Sequence, residues 1–317
     1  MPIRDHMILG IDTSNYTTSA AVLDTVTMTV IQSKKLLPVK SGEKGIRQSD
    51  AVFHHTKQLP EMISAVCKDI TISGIGVSVR PRLVEGSYMP CFLVGESAAD
   101  MIGSVSGIVP DKTSHQIGHI LAALYSSQNL DLLRSEAPFL AFHVSGGTTD
   151  MLVCTPDKSS LLNVKEVGHS LDLKAGQAVD RAGVMLGLDF PCGAELEKLA
   201  LKSTKDFRIR PVIKGMDCSL SGIENKCRSM LENGEPKENI ARFCLLSVYE
   251  AVKAMTKAAF DYFGKMPVVY AGGVMSDRFI AEKLKEDFDG SFAEPAFSCD
   301  NAVGVAVYSA IKKGLIL

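Results

Sequence analysis

The sequence MILGIDTSNYTTSAAVL, residues 7–23, carries the pattern on which the fold prediction depends. Apolar stretches at 7–11 and 20–23 flank a run of small polar residues, and this order predicts two antiparallel strands joined by a polar turn. The same order returns later in the chain, where apolar stretches at 139–144 and 151–154 flank Ser-Gly-Gly-Thr-Thr-Asp. Two such hairpins favour two copies of one domain type, and a coincidence of unrelated hairpins is the alternative.

Around these hairpins, apolar residues at helical spacing predict helices, and short apolar runs predict buried strands. The predicted helices cover residues 53–67, 91–102, 114–125, 175–186, 193–201, 238–263, 276–288 and 301–312, and the predicted strands cover 74–79 and 267–271. Strands followed by helices, twice over, indicate an α/β layer architecture with a cleft between two lobes. We place the first lobe at 1–133, joined by a closing helix at 300–317, and the second at 134–299.

The composition favours a soluble protein with sizeable cores. A chain of 317 residues fits two domains, and 46% hydrophobic with 22% charged residues excludes a disordered chain. No apolar run reaches the ~18 residues of a membrane span. The N-terminus enters the first strand without the apolar core of a secretory signal. Eight cysteines stand singly, without a Cys-x-x-Cys pair, so we expect reduced thiols and a cytoplasmic location.

The net charge of −2 gives no general attraction for nucleic acid. The chain has no tryptophan, and aromatic residues make up only 6%, so platforms on which bases could stack are scarce. We therefore expect partner proteins to supply much of any affinity for RNA.

His115 and His119 stand four residues apart in a segment predicted to be helical, so both imidazoles fall on one face. This spacing suits two ligands of one metal ion, and two solvated histidines are the alternative. Gln116 follows His115 where a zinc protease of the His-Glu-x-x-His type has its glutamate, so that class is disfavoured.

Three further segments have more than one interpretation. The turn at Ser145-Gly146-Gly147 suits phosphate binding through backbone N–H groups, although a plain hairpin turn also favours Gly-Gly. Gly272-Gly273 permits either a flat ligand or tight helix packing. On spacing alone, Asp300 is interpreted as a helix N-cap, Asp180 as a helix-face acid, and Asp12 as a ligand of metal or water or as a turn residue.

Taken in order, these segments resemble the TsaD family, the tRNA threonylcarbamoyladenosine synthases, which belong to the actin/sugar-kinase/Hsp70-like superfamily. The resemblance covers essentially the whole chain in collinear order. The matching segments are Gly10-Ile11-Asp12-Thr13-Ser14, His115-x-x-Gly118-His119, Val144-Ser145-Gly146-Gly147, residues 176–181, residues 186–191, Ser219-Leu220-Ser221-Gly222, Ala271-Gly272-Gly273-Val274 and Asp300-Asn301-Ala302.

The resemblance implies an iron or zinc-like divalent metal, whose two histidines and aspartate fall on His115, His119 and Asp300. This replaces the N-cap interpretation of Asp300. The residues that correspond to nucleotide-binding positions are Val144, Ser145, Gly146, Gly147, Asp180, Gly193, Gly272, Gly273 and Asp277. Among these, Asp180 corresponds to the ribose contact, and Gly193 to a glycine near base and ribose. We add Asp12 and Ser14 as catalytic candidates.

The implied reaction transfers a threonylcarbamoyl group from threonylcarbamoyl-AMP, made by a separate enzyme, to an adenosine of tRNA. The family's partner proteins are implied as well. Two alternatives stay open: a regulatory or scaffolding subunit that binds adenine nucleotide without catalysis, and a small-molecule kinase that uses Asp12.

The chain departs from the family pattern at several places near the implied site. Residues 14–18 lack the acidic pair of the family's Ser-Cys-Asp-Glu-Thr, and Arg80-Pro81-Arg82 replaces Gly-Pro-Gly. Thr148 replaces a histidine, and Asp277 an asparagine. Leu173-Lys174 stands in place of Asp-Ala, and Cys192 in place of glycine. We interpret this clustering as the mark of a diverged paralogue.

Overall fold

The structure, a computed structural model, describes residues 6–14, 16–38 and 46–317. The strands are β1 (Met7–Asp12), β2 (Thr17–Asp24), β3 (Thr29–Leu36), β4 (Gly74–Arg80), β5 (Asp111–Ser114), β6 (Phe139–Val144), β7 (Thr149–Asp157), β8 (Leu161–His169), β9 (Val212–Lys214), β10 (Asp217–Ser219), β11 (Val268–Ala271) and β12 (Ser291–Phe292). The α-helices are α1 (Gln48–Cys67), α2 (Phe92–Ser106), α3 (His115–Ser126), α4 (Ala175–Met185), α5 (Gly193–Ala200), α6 (Ser221–Glu232), α7 (Lys237–Phe263), α8 (Arg278–Phe288) and α9 (Val303–Lys312).

The chain divides into two compact units. The first comprises the described part of Met1–Arg134 together with Cys299–Leu317, and the second is Ser135–Ser298. Residue 15, which belongs to the first departure from the family pattern, and residues 1–5, on which the prediction about a secretory signal depends, lie outside the described residues.

The first unit is built on a five-stranded sheet in the order β3-β2-β1-β4-β5. β1, β2 and β3 pair antiparallel, whereas β4 and β5 run parallel to β1. Buried residues of β1 and β4, including Leu9 and Val77, form one core with Leu59, Met62 and Val66 of α1. The buried face of α9 contacts β1 and β4, so the C-terminal helix completes this unit.

The second unit repeats this arrangement in a sheet of order β12-β11-β6-β7-β8. β6, β7 and β8 pair antiparallel, and β11 and β12 run parallel to β6. Its core joins β6 to α4, α5, α6, α7 and α8 through buried residues such as Phe142, Ala178 and Val248. Two five-stranded sheets of the same topology confirm the α/β class and the repeated hairpins.

Several elements differ from the sequence prediction. α1 begins at Gln48, five residues early, because Ala51 is buried in a small cluster with Leu37 and Phe92 that periodicity in a polar stretch does not reveal. The closing helix begins at Val303. The sequence pattern did not predict β3, β8 or α6: β3 lies at a sheet edge with mostly exposed side chains, and α6 buries only three residues.

Across the described ranges, no helix is both long enough and apolar enough to cross a membrane. All eight cysteines fall within these ranges and are free thiols.

Candidate functional site

The two predicted histidines lie one turn apart at the start of α3. Ser114, the last residue of β5, caps this helix, because its Oγ accepts a hydrogen bond from the N–H of Ile117 at 3.3 Å. The Nε2 atoms of His115 and His119 are 2.9 Å apart, and the side chains are 21% and 8% exposed. The two imidazoles therefore meet at one point of the first unit and are not solvated surface histidines.

Asp300 reaches the same point from the C-terminal part of the chain. Its Oδ1 lies 3.1 Å from Nε2 of His119 and 3.5 Å from Nε2 of His115. The N-cap position of α9 is occupied by Ala302, and the N–H of Val303 donates to Oδ1 of Asn301 at 3.0 Å. The N-cap interpretation of Asp300 is therefore wrong, and its carboxylate turns toward the histidines.

Close packing of α9 on α3 positions Asp300. A Cβ atom on Gly304 would lie 1.7 Å from the backbone oxygen of Gly118, so only glycine allows this approach. Because Gly118 directly precedes His119, and Gly304 follows Asp300 by one turn, the same contact places the carboxylate beside the imidazoles.

The donor set fits a divalent cation. The ligand atoms of His115, His119 and Asp300 all lie within 4.8 Å of one another. Two imidazole nitrogens and one carboxylate oxygen are a usual set for iron(II) and for catalytic zinc, and such a set leaves coordination positions open. These residues could therefore hold an ion that also contacts a substrate.

The electrostatics of this cluster favour a positive charge. Burial alone lowers the pKa of His115, but the carboxylates of Asp12 and Asp300 outweigh it and raise that pKa to about 10. Burial works to raise the pKa of Asp300, yet hydrogen bonds and charge from His115 and His119 hold it well below its usual value. Two ionised carboxylates thus surround His115.

Asp12 lies on the far side of His115. It is 1% exposed, and its carboxylate is 3.2 Å from Nδ1 of His115. The hydroxyls of Ser14, at 2.7 Å, and Ser78 also donate to it. Against the effect of burial, the charge of His115 and these bonds lower the pKa of Asp12. A carboxylate behind a ligating imidazole fixes the orientation of the ring. The catalytic role predicted for Asp12 and Ser14 stays a prediction, and their geometry favours an orienting role.

Sequence reasoning missed three contacts of the β2 strand. The Oγ1 of Thr17 donates to Oδ2 of Asp300 at 3.3 Å. Next to it, Thr18 Oγ1 contacts Nδ1 of the buried His55 at 2.8 Å and donates to Gln58 at the same distance. Burial lowers the pKa of His55 to about 4, so this ring is neutral. No spacing signal connects these residues, which only the β2–α1 packing brings together.

The Arg80-Pro81-Arg82 segment is attached to the histidine helix. The backbone oxygen of Pro81 accepts a hydrogen bond from the N–H of Gln116 at 3.0 Å, and both arginine side chains are exposed. The substitution of two glycines by two cations therefore lies directly beside His115.

In the second unit, the Ser145-Gly146-Gly147 turn connects β6 to β7. The N–H of Ser145 donates to the oxygen of Thr148 at 2.7 Å, and the N–H of Thr148 donates back to the Ser145 hydroxyl at 3.2 Å. Gly146 and Gly147 are exposed, and within the described chain their N–H groups make no hydrogen bond. This is the arrangement of an anion-binding turn.

Helix α4 begins directly against this turn. A Cβ atom on Gly176 would lie 2.6 Å from the Cα of Gly146, and the N–H of Gly176 donates to the oxygen of Ser145 at 3.1 Å. A helix N-terminus next to exposed turn amides favours the binding of phosphate.

The later glycine pair crosses behind the same turn. Gly272 has a φ of +99°, and a Cβ there would lie 2.2 Å from the backbone oxygen of Val144. Asp277 follows and caps α8, since its Oδ1 accepts a hydrogen bond from the N–H of Ile280 at 3.0 Å. Burial, with the nearby charge of Glu197, raises the pKa of Asp277 to about 7. The structure thus brings Val144, Ser145 and Gly272 together.

Asp180 and Gly193 meet at a second place of this unit. Asp180 lies one turn after Gly176 on α4, and its Oδ1 accepts a hydrogen bond from the N–H of Cys192 at 2.9 Å, directly before Gly193 at the start of α5. A cavity of about 590 Å³ opens here, within the size range of small-molecule sites. Its lining residues are Gln177, Asp180, Arg181, Val184, Met185, Phe190, Glu224 and Arg228.

Comparisons with known proteins agree with this organisation. A family model described as "TsaD: tRNA N6-adenosine threonylcarbamoyltransferase" matches residues 25–307. A tRNA N6-adenosine threonylcarbamoyltransferase of Streptococcus pneumoniae is 27% identical over 98% of this chain and 93% of its own length. A probable bifunctional tRNA threonylcarbamoyladenosine biosynthesis protein of Thermoplasma acidophilum is 28% identical over 88% of this chain, which spans half of that protein.

Solved structures identify the fold. Component A of the (R)-2-hydroxyglutaryl-CoA dehydratase of Acidaminococcus fermentans aligns with a TM-score of 0.56 at 16% identity, over 98% of this chain and 99% of its own. A ROK family glucokinase of Streptomyces griseus aligns with a TM-score of 0.52 at 10% identity, over 96% and 99%. The prediction of an actin/sugar-kinase/Hsp70-like fold is confirmed.

Proposed function

This chain belongs to the TsaD family of tRNA N6-adenosine threonylcarbamoyltransferases, and on that premise we propose that it transfers a threonylcarbamoyl group from threonylcarbamoyl-AMP to an adenosine of tRNA. The transfer depends on one divalent metal, iron or zinc. The observation that carries this proposal is the convergence of His115, His119 and Asp300, which come from two distant parts of the chain, on one point.

The chain's own residues prepare this site for acyl transfer. A bound divalent ion, held by these three side chains, would act as a Lewis acid toward the carbamoyl carbonyl group. Asp12 orients His115 from behind, and Thr17 orients Asp300. In the transfer, the adenine N6 forms a bond to the carbamoyl carbon and loses a proton, while the bond from that carbon to the phosphate oxygen breaks and AMP leaves.

The second unit binds the adenylate in this proposal. The amides of Gly146 and Gly147 and the N-terminus of α4 take the phosphate, and Asp180 takes the ribose hydroxyls. One turn of α4 separates Gly176 from Asp180, so the phosphate turn and the cavity follow each other along one helix face. Gly193, Gly272, Gly273 and Asp277 border the nucleoside.

The test is threonylcarbamoyl transfer by the purified chain, supplied with threonylcarbamoyl-AMP, an unmodified tRNA transcript and the partner proteins of the family. The modified nucleoside is measured by mass spectrometry after digestion. Asp300→Asn is the matched variant, because it keeps the shape of the side chain and removes its charge. Formation of product by the wild type but not by Asp300→Asn is expected; no product beside an active family member would contradict the proposal.

A second candidate, a nucleotide-binding regulatory or scaffolding subunit with reduced catalysis, is favoured by one observation. Arg80 and Arg82 flank Pro81, whose backbone oxygen accepts a hydrogen bond from the N–H of Gln116, the residue next to His115. This candidate predicts tight binding of adenine nucleotide by calorimetry without turnover. We propose that the chain is a diverged paralogue. The double variant Arg80→Gly, Arg82→Gly tests this, and an increase in threonylcarbamoyl transfer over the wild type is the expected result.

The kinase alternative fits the structure less well. Asp12 would have to serve as a base toward a substrate hydroxyl, but its carboxylate is buried and is already bonded by Ser14, Ser78 and His115. We propose a cytoplasmic location, where tRNA and reduced thiols coexist, and a complex with partner proteins.

A further inference from the structure

Residues 202–214 form an exposed, basic segment of the second unit that the sites described above do not use. Five of its residues are cationic, namely Lys202, Lys205, Arg208, Arg210 and Lys214, whereas Asp206 is its only acid. It runs from the end of α5 into β9 and has no regular secondary structure before Val212.

Exposure alternates strictly along the second half of this segment. Arg208, Arg210, Val212 and Lys214 are exposed, and each residue between them is half-buried. Side chains two residues apart in an extended chain share one face and are spaced by about 6.5–7 Å. The two arginines and Lys214 therefore form a straight row of cations on one side of the chain, which we call the basic row.

The segment is held in place by α7. Ser203 Oγ donates to Oδ1 of Asn239 at 2.6 Å, and Nε of Arg242 donates to the backbone oxygen of Lys205 at 3.0 Å. The ring of Phe207 packs edge-on against Phe243, with centroids 5.5 Å apart. These contacts hold residues 203–207, and the pairing of β9 with β10 holds residues 212–214, so the backbone is held on both sides of the two arginines.

The cations of the row are not compensated by acids. Lys205 pairs with Glu235 at 2.5 Å, but Lys202, Arg208, Arg210 and Lys214 form no ion pair within the part of the chain that the structure describes. Asp217 stands opposite Lys214 in the β9–β10 ladder, yet its Oδ1 accepts the N–H of His169 at 2.9 Å. A local positive field therefore exists in a chain whose net charge is −2.

We propose that the basic row, Arg208, Arg210 and Lys214, binds phosphates of an RNA strand. This inference rests on the proposed function, in which that RNA is the substrate tRNA. Cations that project from one face of an extended chain match a linear, repeating anion, and guanidinium groups can bind phosphate through two hydrogen bonds. An acidic protein partner fits less well, because Val212 is the row's one apolar member and protein interfaces need an apolar centre.

The experiment compares tRNA binding by the full wild-type chain and by the triple variant Arg208→Gln, Arg210→Gln, Lys214→Gln. Fluorescence anisotropy with a labelled, unmodified tRNA transcript is measured over a salt series that starts at about 50 mM, where phosphate contacts are strong. The triple variant should bind about tenfold or more weakly, and the slope of log K against log salt should fall by about three, one for each lost phosphate contact.

Two control variants distinguish an effect of the basic row from a general effect of positive charge on tRNA binding. Lys158→Gln with Lys265→Gln removes two exposed cations elsewhere in this unit and should leave affinity and slope unchanged. Arg208→Lys with Arg210→Lys keeps the charge and should retain the slope. Thermal unfolding and circular dichroism show whether the triple variant is folded.

Four results would overturn the proposal, and three of them come from the tRNA titrations: no measurable tRNA binding by the wild type at low salt, an unchanged slope in the triple variant, or an equal loss in the control pair. Retention of tRNA binding with loss of an acidic partner protein would also overturn it. The binding measurement does not depend on threonylcarbamoyl transfer. If tRNA binding requires the basic row but the chain makes no modified nucleoside, the proposed function is contradicted and this inference is retained.

Discussion

The turns that follow β1 and β6 occupy the same place in two sheets of the same topology, yet their chemistry is opposite. β1 ends on the buried Asp12, whose carboxylate faces His115. β6 ends on Val144, and the next residues expose the unbonded amides of Gly146 and Gly147. The end of β1 therefore places a carboxylate behind an imidazole, and the turn after β6 leaves two backbone N–H groups exposed.

This difference indicates that the shared sheet topology determines where a site lies. The residues at the strand end and in the turn determine which charge the site can bind. A carboxylate needs burial and fixed donors to hold an imidazole in one orientation. An anion-binding turn needs glycines, since side chains would block the approach to the backbone. The following predictions test each half of this comparison.

The largest effect is expected from His119→Ala, which removes one imidazole from the cation side. Bound metal, measured by elemental analysis of the purified chain, should be lost, with a fall in metal affinity of more than about a hundredfold, because even outer-shell changes cost 10–100-fold. His54→Ala, in the same unit but outside the cluster, should retain metal. Equal metal content in both variants would show that His119 does not hold a metal ion.

Asp12→Asn tests the turn of the first unit itself. The amide keeps the shape of the side chain but is a weaker acceptor for the ring N–H of His115. It therefore orients the imidazole less firmly and lowers its basicity as a ligand, and metal affinity should fall by about 10–100-fold. Competition with a metal indicator dye measures this directly, and Asp50→Asn on exposed α1 is the control. Unchanged affinity would mean that Asp12 does not act through His115.

Gly272→Ala tests the packing behind the anion-binding turn. The positive φ alone costs about 1–3 kcal/mol in a residue with a Cβ, and the contact with the oxygen of Val144 adds to it. Gly273→Ala has open space around its Cβ and should change the free energy of unfolding by less than about 0.5 kcal/mol. Urea unfolding curves give both values, and similar values for the two would contradict the close approach.

Asp277→Asn tests a pH-dependent contribution to stability. In the folded chain the pKa of Asp277 is raised to about 7 from an ordinary 3.8. Its contribution to stability is therefore complete below about pH 4 and is lost as the pH rises through about 7. An asparagine still caps α8 and does not ionise. Urea unfolding curves at pH 5 and pH 8 give the free energy of unfolding of both proteins. The value for the variant minus the value for the wild type should be larger at pH 8 than at pH 5. An equal difference at both pH values would refute the raised pKa of Asp277.

The sequence was sufficient for features that repeat or are local. The two hairpins, the helical spacing of His115 and His119, and the long helix α7 follow from periodicity and composition. The resemblance then brought in Asp300 as a third ligand, which its own neighbourhood did not indicate, because a polar residue before an apolar helix ordinarily caps that helix. Only the fold shows that Ala302 occupies the N-cap position of α9 and that Asn301 accepts the N–H of Val303.

Other features depend on contacts that no local pattern records. Thr17, Ser78 and His55 support the first-unit cluster through strand and helix packing, and nothing in their spacing distinguishes them. The strand β3 was missed because an edge strand with exposed side chains shows no buried face. The basic row was missed since the net charge of the whole chain averages over a local excess.

The discontinuity of the first unit has a consequence for biosynthesis. Its sheet is complete once β5 has left the ribosome, but its last helix and Asp300 follow only after the whole of Ser135–Ser298. Domains tend to fold as their chain emerges. The inserted unit can thus finish folding before Asp300, which lies beside His115 and His119 in the folded unit, has been synthesised. A nascent chain that has not reached Asp300 would therefore carry only two of the three residues that converge in the folded unit.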